Sequence, residues 1–185
     1  MLRIAITGGM GSGKSTLCHM LKEEGIPVFS CDSEARRLMA TDESLRQQIT
    51  ELVGSLERDD LRRFLGAGPE QAERLDRLVW PRVAQEWQTF CRQHEALGTE
   101  TIVMECALLF ESGFQDQADV SILVTAPADL RLQRVTARDG ITPDRARSIM
   151  ALQMPEEEKM QRADHTLYNK HTREELLQAF HALQL

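Results

Sequence analysis

The sequence predicts an α/β fold: a parallel sheet with helices on both faces, three layers in all, carrying a helical insertion and a lid. Three observations predict it. Short apolar runs near residues 2–7, 26–29, 101–106, 119–125 and 165–169 alternate with segments of helical period. A glycine-rich turn, Gly8 to Ser15, joins the first run to the first helix. Gly8, Asp32, Glu105 and Asn169 fall at or near the carboxyl ends of the runs, where such sheets bind ligands. A chain of 185 residues holds one domain of this kind. Its core is expected over about 1–32, 99–135 and 160–185, the insertion over about 33–98 and the lid over about 136–159.

The first unit is strand, turn, helix. Leu2-Arg3-Ile4-Ala5-Ile6-Thr7 leads into Gly8-Gly9-Met10-Gly11-Ser12-Gly13-Lys14-Ser15, and Leu17, Met20 and Leu21 share a helical face behind it. The spacing is G-x-x-x-x-G-K-[ST], the P-loop. Glycines let the backbone turn its N–H groups inward around a phosphate, and the helix N-terminus favours the anion. Lys14 can reach the β- and γ-phosphates, and Ser15 can hold a magnesium ion.

The remaining elements follow in order. Gly25 is placed to end the first helix, and Ile26-Pro27-Val28-Phe29 reads as a second strand. Asp32 opens the next helix, as N-cap or as a functional carboxylate. Thr41-Asp42 caps a further helix, and residues 42–95 are helical in pattern, punctuated by Gly54 and Gly66-Ala67-Gly68-Pro69 and interrupted at Pro81. Thr101–Cys106 and Asp119–Thr125 read as buried strands. Pro127 sits early in the helix through Leu130, Leu132 and Val135, Thr142-Pro143 starts another, and Thr172-Arg173-Glu174-Glu175 is a capping box for the last.

Composition excludes several classes. A net charge of −7 argues against nucleic acid as the main partner. Cys18, Cys31, Cys91 and Cys106 lack C-x-x-C spacing, so a zinc site or disulfide framework is not expected. No apolar run is long enough to span a bilayer, and the chain enters a strand at once, so a cytoplasmic protein without a membrane partner is expected. A monomer or weak homo-oligomer is the expectation for assembly, on which the sequence carries no signal of its own.

Phosphoryl transfer to a small hydroxyl acceptor needs a phosphate cradle, a metal, a carboxylate near the acceptor and positive charge over the transferring group. Asp32 is the carboxylate candidate, and Glu105 could hold magnesium through water. Arg131, Arg134 and Arg138 are candidates for the positive charge. Arg134 and Arg138 share a helix face just before Asp139-Gly140, as in a hinged lid. Asn169-Lys170-His171-Thr172 falls where GTPases carry N-K-x-D. Thr172 cannot accept both guanine hydrogens, so adenine is the better guess.

Together these segments resemble the dephospho-coenzyme A kinase family. Thr7 to Thr16 is similar to that family's opening, and Cys31-Asp32-Ser33-Glu34-Ala35-Arg36 to its D-A-D-x-x-A-R segment. Glu105-Cys106-Ala107-Leu108-Leu109-Phe110-Glu111 resembles D-V-P-L-L-F-E, and Arg134-Val135-Thr136-Ala137-Arg138-Asp139-Gly140 its lid. Gln153 and Asn169 fall at later family markers. The resemblance implies a P-loop kinase fold and transfer of the γ-phosphoryl of ATP, with Mg2+, to the ribose 3′-hydroxyl of dephospho-coenzyme A. It also implies site residues. Gly9, Met10, Gly11, Ser12, Gly13, Lys14, Ser15 and Thr16 would hold ATP, with Arg138 and Asn169. Asp32, Lys14 and Arg138 would act in transfer, Arg36 and Leu108 beside Asp32 on the acceptor, and Ser15 and Glu105 at the metal. Ser30, Trp80, Ala107 and His171 depart from the family pattern, mostly on the acceptor side. A kinase of a nucleoside or other metabolite hydroxyl, or a non-catalytic nucleotide-binding relative, is the alternative.

Overall fold

A computed structural model describes residues 1–185, with side chains at every position but 69. It divides into two compact units, one of residues 1–30 and 94–185, the other of residues 31–93.

The first unit holds a five-stranded, all-parallel sheet: β1 (Leu2–Thr7), β2 (Val28–Ser30), β3 (Thr101–Glu105), β4 (Val120–Thr125) and β5 (His165–Tyr168). The spatial order is β2-β3-β1-β4-β5, so β1 lies at the centre, flanked by β3 and β4. The pleat sends alternate side chains to opposite faces. On one face Ile4 and Ile6, with Val103 from β3 and Ile122 and Val124 from β4, pack in one cluster with Leu17 and Leu21 of α1 (Lys14–Glu23). Leu176 and Phe180 of α9 (Arg173–His181) join the same cluster. On the other face Ala5, Ile102, Met104 and Leu123 are also fully buried, so the sheet is covered on both sides. Parallel strands buried on both faces read as continuous apolar runs, which is why they are visible in the sequence.

The caps follow the local chemistry. Gly25, at φ +88°, sends its N–H to the Lys22 carbonyl while Ile26 N–H bonds the Leu21 carbonyl, closing α1. Thr142 Oγ1 accepts from Arg145 N–H at the start of α7 (Pro143–Met150), with Pro143 in the first turn. Thr172 Oγ1 accepts from Glu175 N–H at the start of α9. Gly140, φ +63°, ends α6 (Ala128–Asp139), and α8 (Glu156–Arg162) precedes β5.

The second unit is helical: α2 (Cys31–Thr41), α3 (Glu43–Val53), α4 (Arg58–Gly66) and most of α5 (Pro69–Ala96). Asp42 caps α3 by accepting from Leu45 N–H, and Gly54 at φ +91° ends it. Leu75, Val79, Val83 and Trp87 form a buried stripe along α5 at four-residue spacing.

Four sequence expectations are corrected. α5 runs through Pro81 without interruption. Pro81 sits on the exposed side, where the Arg77 carbonyl loses its helical donor, and the buried stripe carries the helix past the gap. α2 begins at Cys31, so Asp32 lies in the first helical turn rather than at the N-cap. Pro127 is the N-cap residue of α6, outside the helix. β2 begins at Val28, because Ile26 N–H is spent closing α1 and Pro27 has no N–H to donate.

Candidate active site

The P-loop leaves the carboxyl end of the central strand, between the ends of β3 and β4. That is where ligands bind in open parallel sheets. Its shape depends on close approach. A Cβ at Gly8 would lie 2.4 Å from the Val124 carbonyl oxygen. Gly11 and Gly13 hold φ of +81° and +99°, left-handed conformations that favour glycine. Ser12 N–H bonds the Gly9 carbonyl at 3.0 Å, and Lys14 N–H reaches Ser12 Oγ at 3.4 Å.

Register explains how Glu105 meets α1. Glu105 pairs with Ile6 across β1 and β3, so its side chain points to the face that α1 covers. There a single oxygen, Glu105 Oε1, accepts from Lys14 Nζ at 2.5 Å and from Ser15 Oγ at 2.6 Å. Lys14 and Glu105 are nearly buried, with side chains 8% and 12% exposed. Burial pushes the Glu105 carboxyl up. Lys14, with hydrogen bonds from Lys14, Ser15 and Ser30, outweighs that and holds it below its ordinary value. Lys14 was expected to reach for phosphates, and in this structure it is held by the strand carboxylate beside it.

Asn169 was expected to touch ATP. It follows β5, where its N–H bonds the Thr125 carbonyl, and its Nδ2 donates to the Ser12 carbonyl at 2.8 Å. A Cβ at Gly13 would lie 2.0 Å from that nitrogen. Asn169 thus braces the P-loop backbone.

The three arginines of α6 separate. Arg134 donates to the carbonyls of Gly11 at 3.4 Å and Asn169 at 3.2 Å. Arg131 pairs with Glu156 at 2.8 Å. Arg138 bonds Asp139 through Nε at 2.7 Å and Nη2 at 2.8 Å, with its side chain 63% exposed. Asp139 keeps the Arg138 guanidinium above its usual range.

In the helical unit, Asp32 is half-buried at the start of α2, and Arg36, one turn on, donates Nε to the Asp32 carbonyl at 3.0 Å. In the other unit, Leu108 lies half-buried in the turn after β3, its carbonyl accepting from Ser112 N–H and Oγ.

A second set of contacts joins residues far apart along the chain. Lys159 of α8 is fully buried, pairs with Glu111 at 3.0 Å and donates to the Ala107 carbonyl at 3.2 Å. Glu111 also accepts from Met154 N–H, and Gln153 Oε1 accepts from Met10 N–H at 2.9 Å. These partners lie 43 to 143 residues apart, so no local spacing encodes them.

The dephospho-CoA kinase (CoaE) family pattern matches residues 2–175. A dephospho-CoA kinase of Bacteroides fragilis is 35% identical over 175 residues, 91% of this chain and 84% of that protein. One from Salinibacter ruber is 36% identical over 184 residues, 95% of this chain and 92% of that protein. The crystal structure of TT1252 from Thermus thermophilus superposes with a TM-score of 0.84 at 33% identity, covering 99% of this chain and 96% of that one. With a P-loop at the central strand and this match along nearly its whole length, the chain belongs to the dephospho-CoA kinase family.

Proposed function

We propose that this chain transfers the γ-phosphoryl group of ATP to the 3′-hydroxyl of the ribose of dephospho-coenzyme A, giving coenzyme A, in the cytoplasm. The observation that carries the reading is the convergence of Lys14 Nζ and Ser15 Oγ on Glu105 Oε1 beneath an intact glycine cradle. In that arrangement the cation and the hydroxyl that phosphoryl transfer needs are already gathered at one point.

The P-loop amides hold the phosphate chain, and Lys14 exchanges the Glu105 carboxylate for phosphate oxygens. Ser15 and Glu105 fit magnesium. They are adjacent hard oxygen donors, 2.6 Å apart, and this ion takes few protein ligands and keeps waters and phosphates for the rest. Bound there, magnesium would neutralise charge on the phosphates. Asp32 accepts or orients the acceptor hydroxyl proton, and Arg36 and Leu108 contact the acceptor. Arg138 leaves Asp139 to cover the transferring group. Asn169 serves the nucleotide through the loop that it braces.

Phosphorus NMR of the product tests this. A new monoester at the ribose 3′ position, formed only with ATP and dephospho-coenzyme A together, is expected. ADP without that monoester would refute the assignment.

A further inference from the structure

The reach of residues 153–156 onto the P-loop is explained by none of the roles above. Three contacts converge there. Gln153 Oε1 accepts from Met10 N–H at 2.9 Å. Next to it, the Arg131–Glu156 pair lies against Gly9, where a Cβ would be 2.4 Å from Arg131 Nη1 and 2.9 Å from Glu156 Oε2. Both side chains of the pair are nearly buried, 13% and 14% exposed. The pair is also incompletely satisfied: Arg131 Nε and Glu156 Oε1 are buried without hydrogen-bond partners. A buried pair with spare valences is a poor way to gain stability, since desolvation offsets much of its attraction. What it does supply is a fixed wall over Gly9.

The stretch bearing these groups is itself anchored. Met154 N–H bonds Glu111, and Lys159, fully buried, holds Glu111 and the Ala107 carbonyl. The loop after β3 and the P-loop are therefore tied to one short strut.

We infer that Gln153, with the Arg131–Glu156 pair, positions the nucleotide loop: the strut fixes the Gly9-Met10 backbone so that the downstream amides are preset for phosphate. These are positioning residues, and the inference rests on the kinase reading above. Preset donors spend less binding free energy on ordering the loop, so the effect falls on nucleotide affinity.

Two variants test it without changing the charge beside the loop: Gln153→Met, which keeps length and loses the acceptor, and the paired Arg131→Gln/Glu156→Gln. ADP with magnesium is titrated calorimetrically, without acceptor, and each melting temperature is measured alongside. Gln153→Met is expected to weaken ADP binding by about three- to tenfold, the worth of one hydrogen bond, and the paired variant by a similar factor. In turnover, kcat/KM for ATP should fall by the same factor while KM for dephospho-coenzyme A stays put. ADP affinity within twofold of the parent in both variants would overturn the inference, whatever the melting temperatures do, because a merely structural strut moves only those. If Gln153→Met does not fold, the paired variant decides alone. Since ADP binding needs no acceptor, the titration stands even if the parent chain fails to phosphorylate dephospho-coenzyme A, which would refute only the kinase reading.

Discussion

The two units spend their charged side chains differently. In residues 1–30 and 94–185 three pairs are long-range and low in exposure, Lys14–Glu105, Arg131–Glu156 and Lys159–Glu111, beside exposed local pairs such as Arg147–Asp144 and Arg162–Glu158. In residues 31–93 many arginines pair three or four residues away on exposed helix faces: Arg62–Asp59, Arg63–Asp60 and Arg77–Glu73. Arg82 is an exception, bonding Asp42, Ser44 and Gln48 from 34 to 40 residues away. Buried pairs fix geometry and are costly to break, whereas exposed pairs contribute little to stability. The nucleotide side is thus built as a rigid cradle. The helical unit keeps its cations near water, as suits a surface proposed to meet a phosphorylated acceptor.

The largest expected effect tests the rigid side. Lys14→Ala should abolish detectable transfer. Because Lys14 is buried against Glu105, the variant should also lose about 3 kcal/mol of stability by leaving a buried carboxylate unpaired. Denaturant unfolding and ADP release measure the two losses, and normal turnover would remove Lys14 from the chemistry.

Asp32→Asn comes next, on the helical side. Asp32 sits in the first turn of α2, where its charge favours the helix dipole only slightly, so the melting temperature should change little. Turnover should fall by roughly 10²-fold, the lower end for a positioned base when the transition state is loose. ADP affinity should hold, since the cradle lies in the other unit. Near-normal kcat would leave Asp32 with a helix-end role alone. Arg138→Ala should lower kcat more than it weakens ATP binding, by about tenfold, because a cation proposed to cover the transferring group acts mainly on the transition state. Equal changes in kcat and in ATP affinity would return Arg138 to its surface pair with Asp139.

How much of this was legible depended on range. The P-loop, the Thr142 and Thr172 caps and the strands were visible because each is written in consecutive residues. Glu105 was readable as a strand-end carboxylate, yet its hold on Lys14 depends on the register of β3 against β1, which no local pattern states. Arg131, Arg134 and Arg138 lie on one helix, and tertiary structure sends Arg131 to Glu156 and Arg134 to the carbonyls of Gly11 and Asn169, whereas Arg138 bonds its sequence neighbour Asp139. Pro81 misled because local propensity argued for a break and the packing of α5 overrode it.

Acidity separates the units further. The folded Glu105 carboxyl titrates below its ordinary value, so it contributes stability above the usual carboxylate range of about pH 4, and that stability is lost as pH falls through the folded value. Glu105→Gln should flatten this acid limb of the unfolding free energy, and an unchanged limb would mean that other carboxylates set it. The smallest effect belongs to the exposed pairs. Arg63→Ala and Arg77→Ala should each change stability by under about 0.5 kcal/mol in thermal unfolding. A larger loss in either would show that its pair is structural.

The most direct test of the central claim is ADP release by the whole chain with ATP and magnesium across a panel of acceptors: dephospho-coenzyme A, nucleosides and shikimate-like alcohols. ADP release that depends on dephospho-coenzyme A and stays at background with the others is expected. Release that is equal across the panel, or greatest with a nucleoside, would contradict it.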